Sequence, residues 1–527
     1  MSSFIQEPCY ENIIRSRPAR STCSKARGRW ILAATILASS MAFIDSTVVN
    51  VALPALQTNF NATAVDVQWV IEAYSLLLSA FLLIGGSLGD HYGRRRFFLI
   101  GVSIFAIASV ACGFAANIAQ LIAARGVQGL GAALVTPGSL AIISNSFSEE
   151  DRGRAIGTWS AFSAITTGIG PVLGGWLIEH VSWRAAFFIN LPIALAVLFI
   201  SIVHVRENVD RDNDRVDWLG SILAALGLGA LVYGLIESSR LGFASRVVMT
   251  ALVAGCVLLI VFLFVEARLP HPMLPLGLFR SRIFAGTNLL TFLLYAALSG
   301  TLFFLPLNLI QVQHYSATAA GAALLPFIII MSVLSRWSGG LITRYGPKVP
   351  LVIGPLIAAS GYALFMRPMA GGNYWTNFLP AISAVGLGMT ISVAPLTTAV
   401  MNSVPQNHAG IASGVNNALA RTAGLLAIAL LGIVMLDVFK SQLDRHLQES
   451  KFPPAISESL RAQSTKLAAI APPQNQDAAT QQSIRDAIDD SFVSGFRIVM
   501  LIGAILAAAS ALTALALIGN PDKSSSR

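Results

Sequence analysis

The chain is short of charge. Asp, Glu, Lys and Arg make up 12% of its 527 residues against 55% hydrophobic, and mean hydropathy is +0.68. So little charge cannot coat a soluble globule, which leaves an all-α membrane protein with many spans. Cysteine is scarce as well. Cys9, Cys23, Cys112 and Cys256 form no CxxC pair and two of them fall in apolar runs, so neither a disulfide framework nor a zinc site is expected. The seven histidines are scattered with no HExxH. No Gly-x-Gly-x-x-Gly and no GxxxxGK(S/T) loop is present to cradle a phosphate. Gly85-x-Ser87-x-Gly89 matches a nucleophile elbow in letters only, because it ends an apolar helix instead of turning a strand into a helix. An enzyme, a metal, a cofactor and built-in ATP use are therefore not expected.

What is present is organised around Gly86-Ser-Leu-Gly-Asp90-His-Tyr-Gly93-Arg94-Arg95-Arg96, which separates apolar runs at 69–88 and 97–116. Runs of that length span a bilayer as helices, so the stretch between them is a short loop, and three arginines hold such a loop in the cytoplasm. The remaining Lys and Arg cluster in segments that fall on the same side, so the formal charge of +9 is a topology signal and implies no nucleic-acid partner. Apolar windows predict spans at 31–56, 67–88, 97–116, 118–144, 155–178, 184–204, 216–236, 247–267, 283–310, 318–342, 350–367, 377–400, 410–436 and 494–518, about fourteen helices with both termini inside. The polar tail at 1–30 is too long for a signal-peptide n-region, so 31–56 reads as a retained first helix.

The chain repeats itself. Gly339-Gly-Leu-Ile-Thr343-Arg-Tyr-Gly346 echoes the arginine loop, Gln128-Gly-Leu-Gly131 corresponds to Val385-Gly-Leu-Gly388, and Gly153-x-x-x-Gly157 to Gly410-x-x-x-Gly414, at offsets of about 253–257 residues. Two six-helix bundles, 31–205 and 283–518, thus flank a linker and inserted helix pair at 206–282. Short tails occupy 1–30 and 519–527. The long outer loop at 437–493 is expected to hold two short surface helices, near 456–467 and 483–492, or a disordered cap.

A charge at the centre of a membrane helix costs about 2.5–3.5 kcal/mol by insertion scales, so those present carry information. Asp45, Glu72, Arg125, Arg336 and Arg421 fall within predicted spans. Arg125, Gln128, Thr136 and Ser139 share one helix face; Glu72, Ser75 and Ser79 share another, and Asn288, Tyr295 and Ser299 a third. Such polar stripes serve either transport or helix packing. The second-half positions matching Asp45 and Arg125 are near Ala297 and Ile382, so that pair is not a scaffold need common to both halves. Burial favours a neutral Asp45 and a nearby cation favours its carboxylate, which suits a proton carrier. Gly170, Pro171, Gly174 and Gly175 permit close backbone approach and form a candidate pivot. Asp90, with Gly86, Gly93 and Arg94, is a candidate gate latch.

These motifs together resemble the major facilitator superfamily, and within it the fourteen-span drug:proton antiporters. Asp45-Ser-Thr-Val-Val-Asn50-Val-Ala-Leu-Pro54 is similar to that family's first-helix signature, the 86–96 stretch to the superfamily loop, and Arg125-Gly-Val-Gln-Gly129-Leu-Gly131 to the fourth-helix signature. Gly170-Pro171-x-x-Gly174-Gly175 is similar to the antiporter motif, although Thr166 stands where that motif opens with glycine. Trp183-Arg184-Ala-Ala-Phe-Phe-Ile-Asn190-Leu-Pro192 and Gly414-Val-Asn416-Asn417 with Arg421 also match. The resemblance implies a major facilitator fold and a monomer in the cell membrane that exports small lipophilic or cationic compounds against protons. Asp45 and Arg125 would couple protons; Glu72, Gln128, Asn288, Tyr295, Asn417 and Arg421 would meet substrate. Glu72 is an acid that not every member carries. A metabolite carrier of the same fold and a membrane sensor that moves nothing remain open at this stage.

Overall fold

The computed structural model describes residues 25–207, 217–269, 272, 274–367, 369–404, 409–450, 452–473 and 475–519. The first tail, most of the charged linker, the last tail and the side chain of Asp90 lie outside the described residues. Every element among the described residues is helical. The first six long helices are α1 (Lys25–Phe60), α2 (Ala64–Tyr92), α3 (Arg94–Phe114), α4 (Ile118–Ser146), α5 (Glu149–His180) and α6 (Ala185–His204). The inserted pair is α7 (Trp218–Leu241) and α8 (Arg246–Glu266). There follow α9 (Arg282–Leu307), α10 in two pieces (Ala317–Ala323 and Leu325–Gly339), α11 (Lys348–Leu364), α12 (Leu379–Asn402), α13 (Ala409–Glu449) and α14 (Ala478–Leu517).

Local chemistry sets the helix starts. Thr63 and Asp66 form a reciprocal capping box at α2, Asn117 accepts from the Gln120 N–H at α4, and Asp217 accepts from the Gly220 N–H at α7. The arginine loop has shrunk to Gly93, whose φ of +119° only glycine adopts freely. Its echo, Gly346, turns with φ +73°. Glu207 braces this loop from beyond α6, accepting from the Arg95 N–H at 3.1 Å and the Arg96 N–H at 3.0 Å, where a carboxylate meets the positive end of α3.

Helices α1–α6 pack among themselves, as do α9–α14, and α7 lies against both α2 and α13. The repeat is visible in atoms. A Cβ on Gly131 would strike the α3 backbone at Gly101 and Phe105, and one on Gly388 would strike α11 at Gly354 and Ala358. The two sets meet along α5 and α10, where a Cβ on Gly175 would strike the Ala317 carbonyl and one on Gly321 the Pro171 carbonyl. Hydrogen bonds join the sets at the end away from the arginine loop. Gln311 donates to Gln57 at 2.7 Å, Gln68 to the Ile428 carbonyl at 3.0 Å, Lys466 to Asn61 at 2.6 Å and the Thr318 N–H to Glu179 at 3.1 Å. That end is shut.

Two expectations change. Among the described residues twelve helices are long and apolar enough to cross a membrane, against the fourteen expected; α11 has 17 residues. The outer loop is also smaller. Helix α13 continues to Glu449 and α14 begins at Ala478, so residues 483–492 belong to a long helix while Pro454–Ala462 forms the expected short one. The signal was there: Phe439, Leu443 and Leu447, and Ile484, Ile488 and Phe492, recur every four residues and are all buried.

Gly129 sits with its Cα against the Tyr74 carbonyl, leaving no room for a side chain, whereas nothing lies within 4 Å of a Cβ on Gly157. Gly129→Val should therefore force α4 from α2 and cost about 1–3 kcal/mol. The thermal unfolding midpoint in detergent should fall for this variant and stay unchanged for Gly157→Ala.

Candidate functional site

Asp45 lies halfway along α1 with no exposed surface. Arg125, on α4, donates from Nη1 to Asp45 Oδ2 at 2.5 Å and to Gln128 Oε1 at 2.6 Å. Gln128 Nε2 returns a bond to Asp45 Oδ1 at 2.8 Å, and Asn190 Nδ2, from α6, adds another at 3.1 Å. Asn190 also donates to Ser109 Oγ of α3, which donates to the Phe187 carbonyl. Arg125 has 1% of its surface exposed; its Nε donates to the Val70 carbonyl at 3.1 Å and its guanidinium lies 4.2 Å from the centre of the Tyr74 ring. One carboxylate thus accepts three bonds from three different side chains, and one guanidinium is held by a carboxylate, an amide, a carbonyl and an aromatic face.

All of these partners belong to α1–α6, so the carboxylate points into the first bundle and away from the seam. Tyr74, on α2, is buried beneath Arg125, and Arg421, on α13, is partly buried. Ala297 and Ile382, the matching positions of the second half, are buried and apolar, so no ion pair sits there.

The other expected residues divide. Gln128 is fully engaged by Asp45 and Arg125 and belongs to this network instead of facing a ligand. Asn288 is buried, and its Oδ1 accepts from Asn416 Nδ2, which also bonds Thr291; these three lock α9 to α13. Asn417 is exposed and donates to the Ser413 carbonyl of its own helix. Tyr295 is partly buried on α9. Glu72 is fully buried with neither carboxylate oxygen bonded. It does not join Asp45: successive residues turn about 100° on a helix, so Glu72 points about 200° from Val70 and Tyr74, which face Arg125. It shares the face of Gln68, which bonds α13.

In the candidate pivot, Cβ atoms on Gly170 and Gly174 would strike Thr47 and Val48 of α1, while Gly175 and Pro171 face α10. The motif therefore seats α5 between the two sets. A cavity of about 400 Å³ lies on the same seam, bordered by Pro54, Ile178, Gln311 and Ala317. Gly86 packs against Pro137, and Gly93 and Arg94 form the turn braced by Glu207.

Sequence reasoning missed Asn190, Ser109 and Tyr74 as members of the network. Asn190 carried a signal, a carboxamide in an otherwise apolar span; Tyr74 and Ser109 carried none. Removing one partner of a buried pair strands the other charge, which costs about 3–5 kcal/mol. Arg125→Gln should therefore lower the unfolding midpoint sharply, and Asp45→Asn in the same chain should restore most of the loss, as read by thermal unfolding in detergent.

Comparison with known proteins agrees with this architecture. The sequence profile of the Major Facilitator Superfamily matches residues 35–428. Multidrug resistance protein Stp of Mycobacterium tuberculosis is 36% identical over 80% of this chain and 78% of its own length. The tetracenomycin C resistance and export protein of Streptomyces glaucescens is 31% identical over 94% of this chain and 93% of its own. A solved bacterial homologue of the human lysosomal transporter Spinster, inward-facing and unoccupied, has a TM-score of 0.63 at 16% identity, covering 94% of this chain and 98% of that one, a likeness of fold alone. The twelve apolar helices, the internal repeat and these relatives lead to one conclusion: the chain is a membrane transporter of the Major Facilitator Superfamily, in the branch of these resistance and export proteins.

Proposed function

We propose that the protein is a proton-coupled antiporter that exports small lipophilic or cationic compounds by alternating access, as a monomer in the cell membrane with both termini in the cytoplasm. On this reading all fourteen long helices cross the bilayer, α5 and α11 included. The observation that carries it is Asp45, a membrane-buried carboxylate with Arg125 upon it. The relatives named for resistance and export support the direction of transport.

A proton taken up by Asp45 neutralises the carboxylate and removes its charge-assisted bond to Arg125. The guanidinium keeps Val70, Gln128 and Tyr74, so the proton loosens α1 from α4. Inward movement of one proton across 100 mV releases about 2.3 kcal/mol, and each unit of pH gradient adds about 1.36 kcal/mol. The two sets then tilt along the α5–α10 contact, with Gly170, Pro171, Gly174 and Gly175 as pivot and the turn at Gly86, Asp90, Gly93 and Arg94 as gate at the cytoplasmic end. The shut far end, with Glu179 capping α10, supports an inward-facing state. Glu72 supplies negative charge for a cationic substrate, with Tyr295 and Arg421 as further contacts.

Uptake into inverted vesicles, followed by fluorescence of a lipophilic cation, tests the proton assignment. Asp45→Asn is expected to abolish the dependence of rate on the pH gradient; a variant with unchanged dependence would overturn it. Glu72→Gln is expected to raise the KM for cationic compounds more than for neutral ones, and an equal change for both would remove Glu72 from substrate recognition.

A further inference from the structure

The inserted hairpin takes no part in the mechanism above, yet its contacts are one-sided in a telling way. Helices α7 and α8 cross on small residues: Gly227 and Gly234 lie against Leu259 and Leu252, and Gly255 lies on the α7 backbone at Leu231. Such close crossings make the hairpin one stiff unit. Val253, Val257 and Ile260 of α8 are 52–66% exposed, a face for acyl chains.

Helix α7 touches both sets, each with a different chemistry. To α2 it is tied: Trp69 Nε1 donates to the buried Glu237 Oε1 at 3.1 Å, the Trp69 and Tyr233 rings lie 6.0 Å apart, and Leu76 rests on Gly229. Toward α13 it offers apolar surface. Val232 and Ile236 share one buried cluster with Leu425 and Ala429, and among the described residues no hydrogen bond or ion pair joins the second half of α7 to α13. These contacts lie in the second half of α7, beside the first turns of α2, at the shut end. A directional bond fixes register, whereas apolar surfaces slide at little cost.

We propose that α7–α8 is a sliding side wall: carried by α2 and pressed on α13, it keeps lipid out of the α2–α13 seam at the far end while the two sets tilt. This rests on the tilting described above. It also gives Glu72 its setting. That unbonded, fully buried carboxyl is one turn from Gln68, which reaches α13, and one turn from Leu76, which reaches α7. The wall is what separates it from the bilayer.

The test is to link the hairpin covalently to one neighbour or the other in the full-length protein in proteoliposomes. Cys9, Cys23 and Cys256 are replaced by serine and the buried Cys112 is kept. One variant carries Trp69→Cys with Tyr233→Cys, joining α7 to α2; two others carry Val232→Cys with Leu425→Cys, or Ile236→Cys with Ala429→Cys, joining α7 to α13. Each is compared before and after treatment with a short thiol cross-linker, its untreated form being the control for folding. Both the transport of a lipophilic cation and hydrogen–deuterium exchange of the 316–324 segment, which becomes accessible when the far end opens, are read. The α7–α2 link is expected to leave both unchanged, and either α7–α13 link to abolish transport and suppress exchange. Equal loss from all links, or none from the α7–α13 links, overturns the proposal. If the untreated protein carries no compound in a broad panel, the export reading has failed, and exchange alone still decides the side wall.

Discussion

The structure depends on a buried ion pair that is not left as a pair. Asp45 and Arg125 sit where neither has water to solvate it, and two charges withdrawn from water repay that loss only when every remaining lone pair and donor finds a partner. Gln128, Asn190, the Val70 carbonyl and the Tyr74 ring supply those partners. In doing so they tie α1, α2, α4 and α6 to one point. The same network is the reason that a change of one proton is felt by four helices at once, since hydrogen-bonded groups in a low dielectric are strongly coupled.

Around that point the molecule is built by omission of side chains. Glycine brings α3 onto α4, α11 onto α12 and α5 onto α10 with backbone against backbone, and seats α5 on the Thr47 and Val48 side chains of α1. In lipid no hydrophobic force drives helices together, so close van der Waals contact must do so, and only small residues allow it. The first bundle carries charge at its centre and the second carries Ala297 and Ile382 at the matching positions. A duplicated scaffold thus holds an unduplicated site, with α5 and α10 as the joint between them.

The hairpin of α7 and α8 shows how an addition can attach to such a scaffold without fastening its halves together. One tryptophan-to-carboxylate bond places it on α2, and its remaining contact with α13 is apolar. Glu72 lies where these three helices meet, bound to none of them by a polar bond.

The amino-acid sequence by itself determined the helical membrane character, the two-fold repeat, the turn at Gly93 and the necessity that Asp45 and Arg125 find counter-charges. All of these follow from the local cost of placing polar groups in hydrocarbon and from periodicity within one helix. Only the tertiary structure decided which helix faces which. Asp45 turns into the first bundle with Asn190 as partner, Glu72 turns the other way toward α7 and α13, Asn288 is spent on holding α9 to α13, and the polar ends of α13 and α14 continue as helix. A side chain's direction around its own helix axis is set by counting residues, but the neighbour it meets there is set by the order of helices in the bundle, which no single stretch of sequence contains.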